Sequence, residues 1–200
     1  MKHLEYSLQS LIEEMRRIAA DGAGEHETLA ALRPLVRRFA LSEDWRDPRY
    51  YQADREQGFG AHLLHEDADH SLAVFAASWL PRRGAPPHDH GVWAIVVGVD
   101  GFERNVFYER TDDRSRPGYA EVRPIGEQLL GRGEVLAMPN GTIHSVTNDT
   151  ERVSLSLHVY GKHINFTRRS QFDPERRAEK PFIVKLEEPR QPQKRAGESS

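Results

Sequence analysis

From about His62 to Tyr160 the chain is a succession of short β-type segments cut by Gly and Pro turns, and that rhythm limits its fold more than any other feature. Leu72–Leu80 stops at Pro81. Trp93–Val99 stops at Asp100-Gly101, and Phe102–Tyr108 follows at once. Glu121–Pro124, Glu134–Met138, Ile143–Asn148 and Val153–Tyr160 complete the series. Short strands at this spacing predict an antiparallel sandwich or barrel. The Asp100-Gly101 step predicts a tight hairpin between the segments on either side.

The residues before this region read as helix. Leu4, Leu8, Leu11, Ile12, Met15 and Ile18 form one apolar stripe over residues 3–20, closed by Asp21-Gly22. A second stripe runs from about Glu25 to Phe39, where Pro34 is expected to kink or divide the helix. A short turn is expected near Asp44–Arg46. Residues 184–200, rich in Glu, Lys, Arg, Gln and Pro, read as a loose solvated tail. The expectation is one mainly β domain over residues 1–183: helices within about 1–47, packed on a small antiparallel barrel of about 58–172, with the tail at 184–200.

Composition narrows the chemistry. The chain has no Cys, which excludes disulfides, thiolate zinc sites, iron–sulfur clusters and a cysteine nucleophile. Lys plus Arg is 28 against 31 Asp plus Glu, a net charge of −3. Such a chain has no overall field to draw it to nucleic acid or an anionic membrane. The N-terminus lacks the apolar region of a secretory signal, and no apolar run approaches the ~18 residues of a membrane span. A soluble, cytoplasmic protein is expected, with no nucleic-acid or membrane partner; monomer and homo-oligomer remain open.

His88-Asp89-His90 is the first feature that carries chemistry. On a strand, both imidazoles point to one face and Asp89 to the other. Imidazole suits iron, nickel, copper and zinc. Read alone, the triplet also fits a polar loop after Pro86-Pro87. Ser154–Tyr160 alternates strictly: Leu155, Leu157 and Val159 on one face, Ser156, His158 and Tyr160 on the other. If the polar face is internal, its groups must bond to one another, hydroxyl to imidazole to phenol. Such a row can hold or move a proton beside a metal.

Gly133 to Asn148 reads G-x5-P-x-G-x2-H-x3-N and resembles the second conserved motif of the cupin superfamily at every fixed position. That resemblance implies a cupin double-stranded β-helix in which His144 faces His88 and His90. The first cupin motif is partly matched by Gly84, His88, His90, Gly98 and Gly101. The carboxylate expected four or five residues after the second His is absent, since Ala94 and Ile95 stand there. The implied centre is therefore three neutral histidines. It leaves a divalent ion its full charge and open positions, which favours an anionic bidentate ligand such as a thiolate. Zinc accepts the same donors but cannot activate O₂ by electron transfer.

Pro87-His88-Asp89-His90-Gly91-Val92-Trp93, His144 and Ser156-x-His158-x-Tyr160 together resemble the thiol dioxygenases, the cupin group of cysteine and 3-mercaptopropionate dioxygenases. The likeness extends over roughly Tyr51 to Pro174. It implies Fe(II) on His88, His90 and His144, and Ser156, His158 and Tyr160 as the catalytic row. The expected reaction adds both atoms of O₂ to the sulfur of a small carboxylated thiol to give a sulfinate. Arg169-Ser170 resembles an Arg-Ser pair of the bacterial mercaptopropionate-type members, so Arg169 or Arg168 is expected to hold the substrate carboxylate. Trp93 resembles the bacterial members as a substrate-side residue; core filling is its other reading. The Arg or Gln that usually selects the substrate on an early strand is missing from Phe59-Gly60-Ala61, leaving Arg55 or Gln57 to reach in. His62, His65, His70 and His163 read as surface or loop residues. The competing readings are a three-His cupin acting as a Lewis-acid isomerase or hydrolase, and a non-catalytic metal- or ligand-binding cupin.

Overall fold

A computed structural model of the chain describes residues 6–187. Helix α1 (Leu8–Ala20) opens on Ser7, whose hydroxyl accepts from the Ser10 N–H, and ends at Asp21. Leu4 of the expected stripe lies outside the described residues. Helix α2 (Glu25–Leu41) runs through Pro34 undivided, so of the expected kink or division the division does not occur. Pro34 and Ala30 are both exposed, so the carbonyl that the proline leaves without a donor lies where water can reach it. The expected turn is followed by a 3₁₀ turn at Pro48–Tyr51.

The remainder is β. The first sheet joins β1 (Phe59–Glu66), β2 (Ala73–Trp79), β9 (Ser154–Tyr160), β4 (Ala94–Asp100) and β7 (Val135–Met138), in that order. The second joins β11 (Ala178–Pro181), β10 (Ser170–Asp173), β3 (Gly84–His88), β8 (Ile143–Thr147), β5 (Glu103–Arg110) and β6 (Val122–Leu130). All strand pairs are antiparallel. Between β2 and β10 the chain passes repeatedly from one sheet to the other. The fold is thus mainly β, a double-stranded β-helix of two antiparallel sheets with the N-terminal helices packed on it.

That crossing corrects the expected hairpin at Asp100-Gly101. β4 pairs with β7 and β9, whereas β5 pairs with β6 and β8. The turn is a corner between sheets. Gly101 has the positive φ of the expected turn, but the strands it joins diverge. β6 runs well beyond the expected Glu121–Pro124, because its exposed outer residues do not alternate legibly.

The first sheet is covered on both faces, and every residue of β2 and β9 is buried. Leu155, Leu157 and Val159 join Ile95, Val97, Ile12, Leu32, Val36 and Phe39 in a core under the helices. Phe75, Ala77, Ala94, Val96 and Tyr160 face the barrel interior. Burial of a large apolar side chain contributes roughly 1.5–3 kcal/mol, so the helix-side core is what fastens α1 and α2 to the sheet. No helix among the described residues is long and apolar enough to cross a membrane.

The expected solvated tail does not start at residue 184. Phe182 and Val184 are buried against the barrel while Ile183 is 65% exposed, a strand-like alternation beyond β11. Gln57 accepts from the Lys185 N–H, and the Glu187 N–H donates to the Ala61 carbonyl at 2.9 Å. Residues 188–200 lie outside the described part.

Candidate metal centre

Pro139 and Gly141 form the turn from β7 to β8. The Thr142 N–H and hydroxyl both donate to the Pro139 carbonyl, and Gly141 takes φ +85°, a left-handed conformation that favours glycine. β8 then runs beside β3 with His144 opposite His88 in the register. Asn148, the last fixed position of the motif, is fully buried and donates to the Trp79 and Arg152 carbonyls, closing the far end of β8.

His90 lies two residues beyond His88, just past the end of β3, and both side chains are buried on the interior side. Asp89 turns away and bonds β10: its N–H donates to the Ser170 carbonyl and its carboxylate accepts from the Ser170 N–H. One nitrogen from each of His88, His90 and His144 falls within 4.8 Å of the others.

The surrounding bonds fix how these rings present themselves. Nδ1 of His88 lies 2.8 Å from the Pro86 carbonyl, and Nδ1 of His144 lies 2.9 Å from Asn105 Oδ1. Both acceptors require a proton on Nδ1, which leaves Nε2 as a bare lone pair. The His144 and His90 Nε2 atoms stand 3.4 Å apart. Burial pushes all three imidazoles below their ordinary range, His144 to about 3, so they are neutral donors at neutral pH. Three neutral imidazoles with nitrogens this close together, two of them anchored through Nδ1, fit a first-row divalent metal.

The row on β9 is also formed. Ser156 Oγ lies 2.8 Å from His158 Nε2, and His158 Nδ1 lies 2.8 Å from the Tyr160 hydroxyl. Trp79 Nε1 donates to Ser156 Oγ at 3.3 Å. Burial depresses His158 to about 3 and raises Tyr160 above the usual phenol range. His158 is therefore neutral and Tyr160 protonated.

His88, His90, His144, His158 and Tyr160 line one cavity with Arg169 and the apolar side chains of Phe59, Phe75, Ile164, Phe182 and Val184. The cavity is small, with room for a ligand of only a few heavy atoms. Arg169 is 4% exposed. Its Nε donates to the Phe182 carbonyl at 2.8 Å, its guanidinium lies over the Phe182 ring, and Nη2 has no hydrogen-bond partner among the described residues. Desolvation lowers its pKa to about 10, which leaves it cationic at neutral pH.

Other candidates stand elsewhere. Arg168 is exposed and does not line the cavity, because the extended backbone at 167–169 turns neighbouring side chains to opposite sides. Trp93 packs on the helix side of β4, the side of Ile95 and Val97, and so fills core. Arg55 is exposed, and Gln57 bonds the Phe59 and Lys185 backbones outside the cavity. Gly60 faces away from the interior, where a Cβ would meet the Gln52 carbonyl oxygen at 2.2 Å. Ala61 does line the cavity, and its small side chain leaves that wall without a polar group. His62 is buried beneath Tyr50 with Nε2 2.9 Å from the Gln52 carbonyl, and His163 is buried beside Phe75. Neither is a surface residue, and neither lines the cavity.

Asn105, Trp79 and Phe182 are supporting residues that sequence reading passes over. Asn105 sits on β5 with side-chain parity facing His144, a signal available only once β5 is known to border β8. Phe182 and Val184 belong to the alternating Pro181-Phe182-Ile183-Val184, hidden at the head of a polar stretch.

No family model matches the chain. Solved structures to which it is similar include oxalate oxidase in complex with the substrate analogue glycolate (13% identity, 60% of this chain and 62% of that one, TM-score 0.42). Another is the DMSP lyase DddQ from Ruegeria pomeroyi DSS-3 (20% identity, 62% and 56%, TM-score 0.44). A third is a Klebsiella pneumoniae protein with a double-stranded β-helix domain (11% identity, 65% and 97%, TM-score 0.44). The chain spans less than two thirds of the oxidase and lyase chains.

Proposed function

We propose that this chain is a mononuclear non-haem iron dioxygenase of the thiol dioxygenase type, an enzyme that converts a small carboxylated thiol and O₂ to a sulfinate. The observation that carries the reading is one small cavity shared by three kinds of group: three metal-competent imidazoles, the terminal phenol of a buried proton-holding row, and a buried guanidinium with a free nitrogen.

His88, His90 and His144 would hold the iron, which when bound supplies the redox capacity that sulfur oxygenation by O₂ requires. Arg169 binds the substrate carboxylate through Nη2, a charge-assisted bond inside a mostly apolar cavity. Anchored there, the ligand has its other end directed at the imidazoles. Tyr160 orients it through the phenol hydroxyl, and Ser156 and His158 fix that hydroxyl. Phe59, Phe75 and Phe182 exclude water from the reacting sulfur. The cavity wall carries no Asp or Glu to pair with an ammonium group, which favours a mercaptocarboxylate over an amino acid.

The test is anaerobic reconstitution with Fe(II), then oxygen uptake and product analysis with cysteine, 3-mercaptopropionate and mercaptosuccinate. Sulfinate formation matched to O₂ consumption is the expected result. A zinc-loaded protein that turns over a substrate under nitrogen would replace this reading with Lewis-acid chemistry.

A further inference from the structure

Glu103, the first residue of β5, is 2% exposed, and neither carboxyl oxygen has a hydrogen-bond partner in place among the described residues. Its polar neighbours are Ser156 and Trp79, which bond each other at the inner end of the Ser156–His158–Tyr160 row and not the carboxyl group. No cationic group compensates it. A carboxyl group in that setting keeps its proton, because a buried, unpaired carboxylate loses its hydration without replacement. We propose that Glu103 is the positioning residue that sets the direction of the row: as a neutral acid it makes Tyr160 a hydrogen-bond donor to the cavity, and as a carboxylate it reverses the row.

The argument follows the available donors. Trp79 Nε1 only donates, so Ser156 Oγ accepts from it. A neutral Glu103 that closes on Ser156 Oγ, a bond not made in the present geometry, fills its second lone pair. The Ser156 hydrogen must then go to His158 Nε2. His158, neutral, carries its proton on Nδ1 and donates it to the Tyr160 oxygen, leaving the phenol hydrogen free for the cavity. With Glu103 ionised, the Ser156 hydrogen turns to the carboxylate. His158 then donates from Nε2 to Ser156 and accepts the phenol hydrogen at Nδ1. Both arrangements satisfy Ser156, His158 and Tyr160, and they differ in what Tyr160 presents.

The titratable groups around this device are few. On β9, His158 is held neutral and Tyr160 protonated by burial. His144 on β8 is engaged by Asn105, and Arg169 acts on Tyr160 from the far side of the cavity. Burial lifts Glu103 to about 8, which places its ionisation just above neutrality. The inference rests on the reading that Tyr160 faces the reacting groups, but its primary test does not involve turnover.

That test is infrared spectroscopy of the full chain, titrated across that range, for the wild type and Glu103→Gln. The expected result is a protonated-carboxyl band that vanishes with a midpoint near pH 8 and is absent from Glu103→Gln. Ser156→Ala should shift that band, because the acid loses its acceptor, and this assigns it even if Glu103→Gln fails to fold. In turnover, the wild-type rate should fall about tenfold one pH unit above the midpoint. Glu103→Gln, a permanent donor, should lack that alkaline limb. Absence of the band at neutral pH, its persistence in Glu103→Gln, or an unchanged alkaline limb would each overturn the proposal. The band with no thiol oxidation would leave the row device standing and remove the functional reading alone.

Discussion

Asn105 accepts the Nδ1 proton of His144 at 2.9 Å, so a residue of β5 decides which nitrogen of a β8 imidazole faces the other two. Outer partners of this kind typically change metal affinity by about 10–100-fold when removed. Asn105→Ala should weaken metal binding by that order in a chelator competition, whereas Asn105→Asp, which keeps the acceptor, should bind close to wild type. Equal affinity in all three would show that the Asn105 bond does not orient the ligand.

Tyr160→Phe removes the hydroxyl at the cavity end of the row and leaves His158 Nδ1 without a partner. We expect kcat for thiol oxidation to drop by about 10²-fold or more with metal content unchanged. The orphaned imidazole nitrogen should cost about 1–3 kcal/mol, visible as a lower Tm. A fully active Tyr160→Phe protein would leave the row without a role in the reaction.

Arg169→Met keeps an unbranched apolar stem over the Phe182 ring and deletes the charge. The loss of a charged hydrogen bond predicts a KM for carboxylated thiols higher on the order of 10- to 100-fold. For an uncharged thiol such as 2-mercaptoethanol, KM should change little. If both kinds of thiol lose affinity equally, Arg169 supports the wall and does not read the carboxylate.

Stability should carry the signature of Glu103. Its carboxyl group titrates near 4.5 when unperturbed and near 8 in the fold, so between those values the native state holds a proton that the unfolded chain has lost. This contribution is full below the lower value and vanishes as pH rises through the upper one. Glu103→Gln lacks it. Urea unfolding should therefore show the variant gaining on the wild type from pH 5 to pH 8.5. His158 acts in the opposite sense: held neutral, it stabilises above its ordinary pKa of 6.5 and loses that effect as pH falls toward 3. A pH-independent gap between Glu103→Gln and wild type would mean that Glu103 is ionised in the fold.

The strands that carry the chemistry were legible because they obey local rules. β9 alternates perfectly, and its polar parity does face the interior. His88 and His90 share a side because they are two residues apart on extended chain. What the sequence could not disclose was which sheet each strand enters. The Asp100-Gly101 turn has hairpin chemistry, yet the topology uses it as a corner. Glu103 and Asn105 became neighbours of the site only through that corner, since it carries β5 into the second sheet, beside β8. Trp93 was ambiguous for the same reason: its parity places it under the helices, and parity has meaning only once both sides of the sheet are known to be covered. Arg169 and Arg168 were inseparable until backbone direction assigned one to each side.

Phe182 and Val184 complete the wall around imidazoles supplied much earlier in the chain. During synthesis, then, all three imidazoles emerge before the wall that shields them is complete.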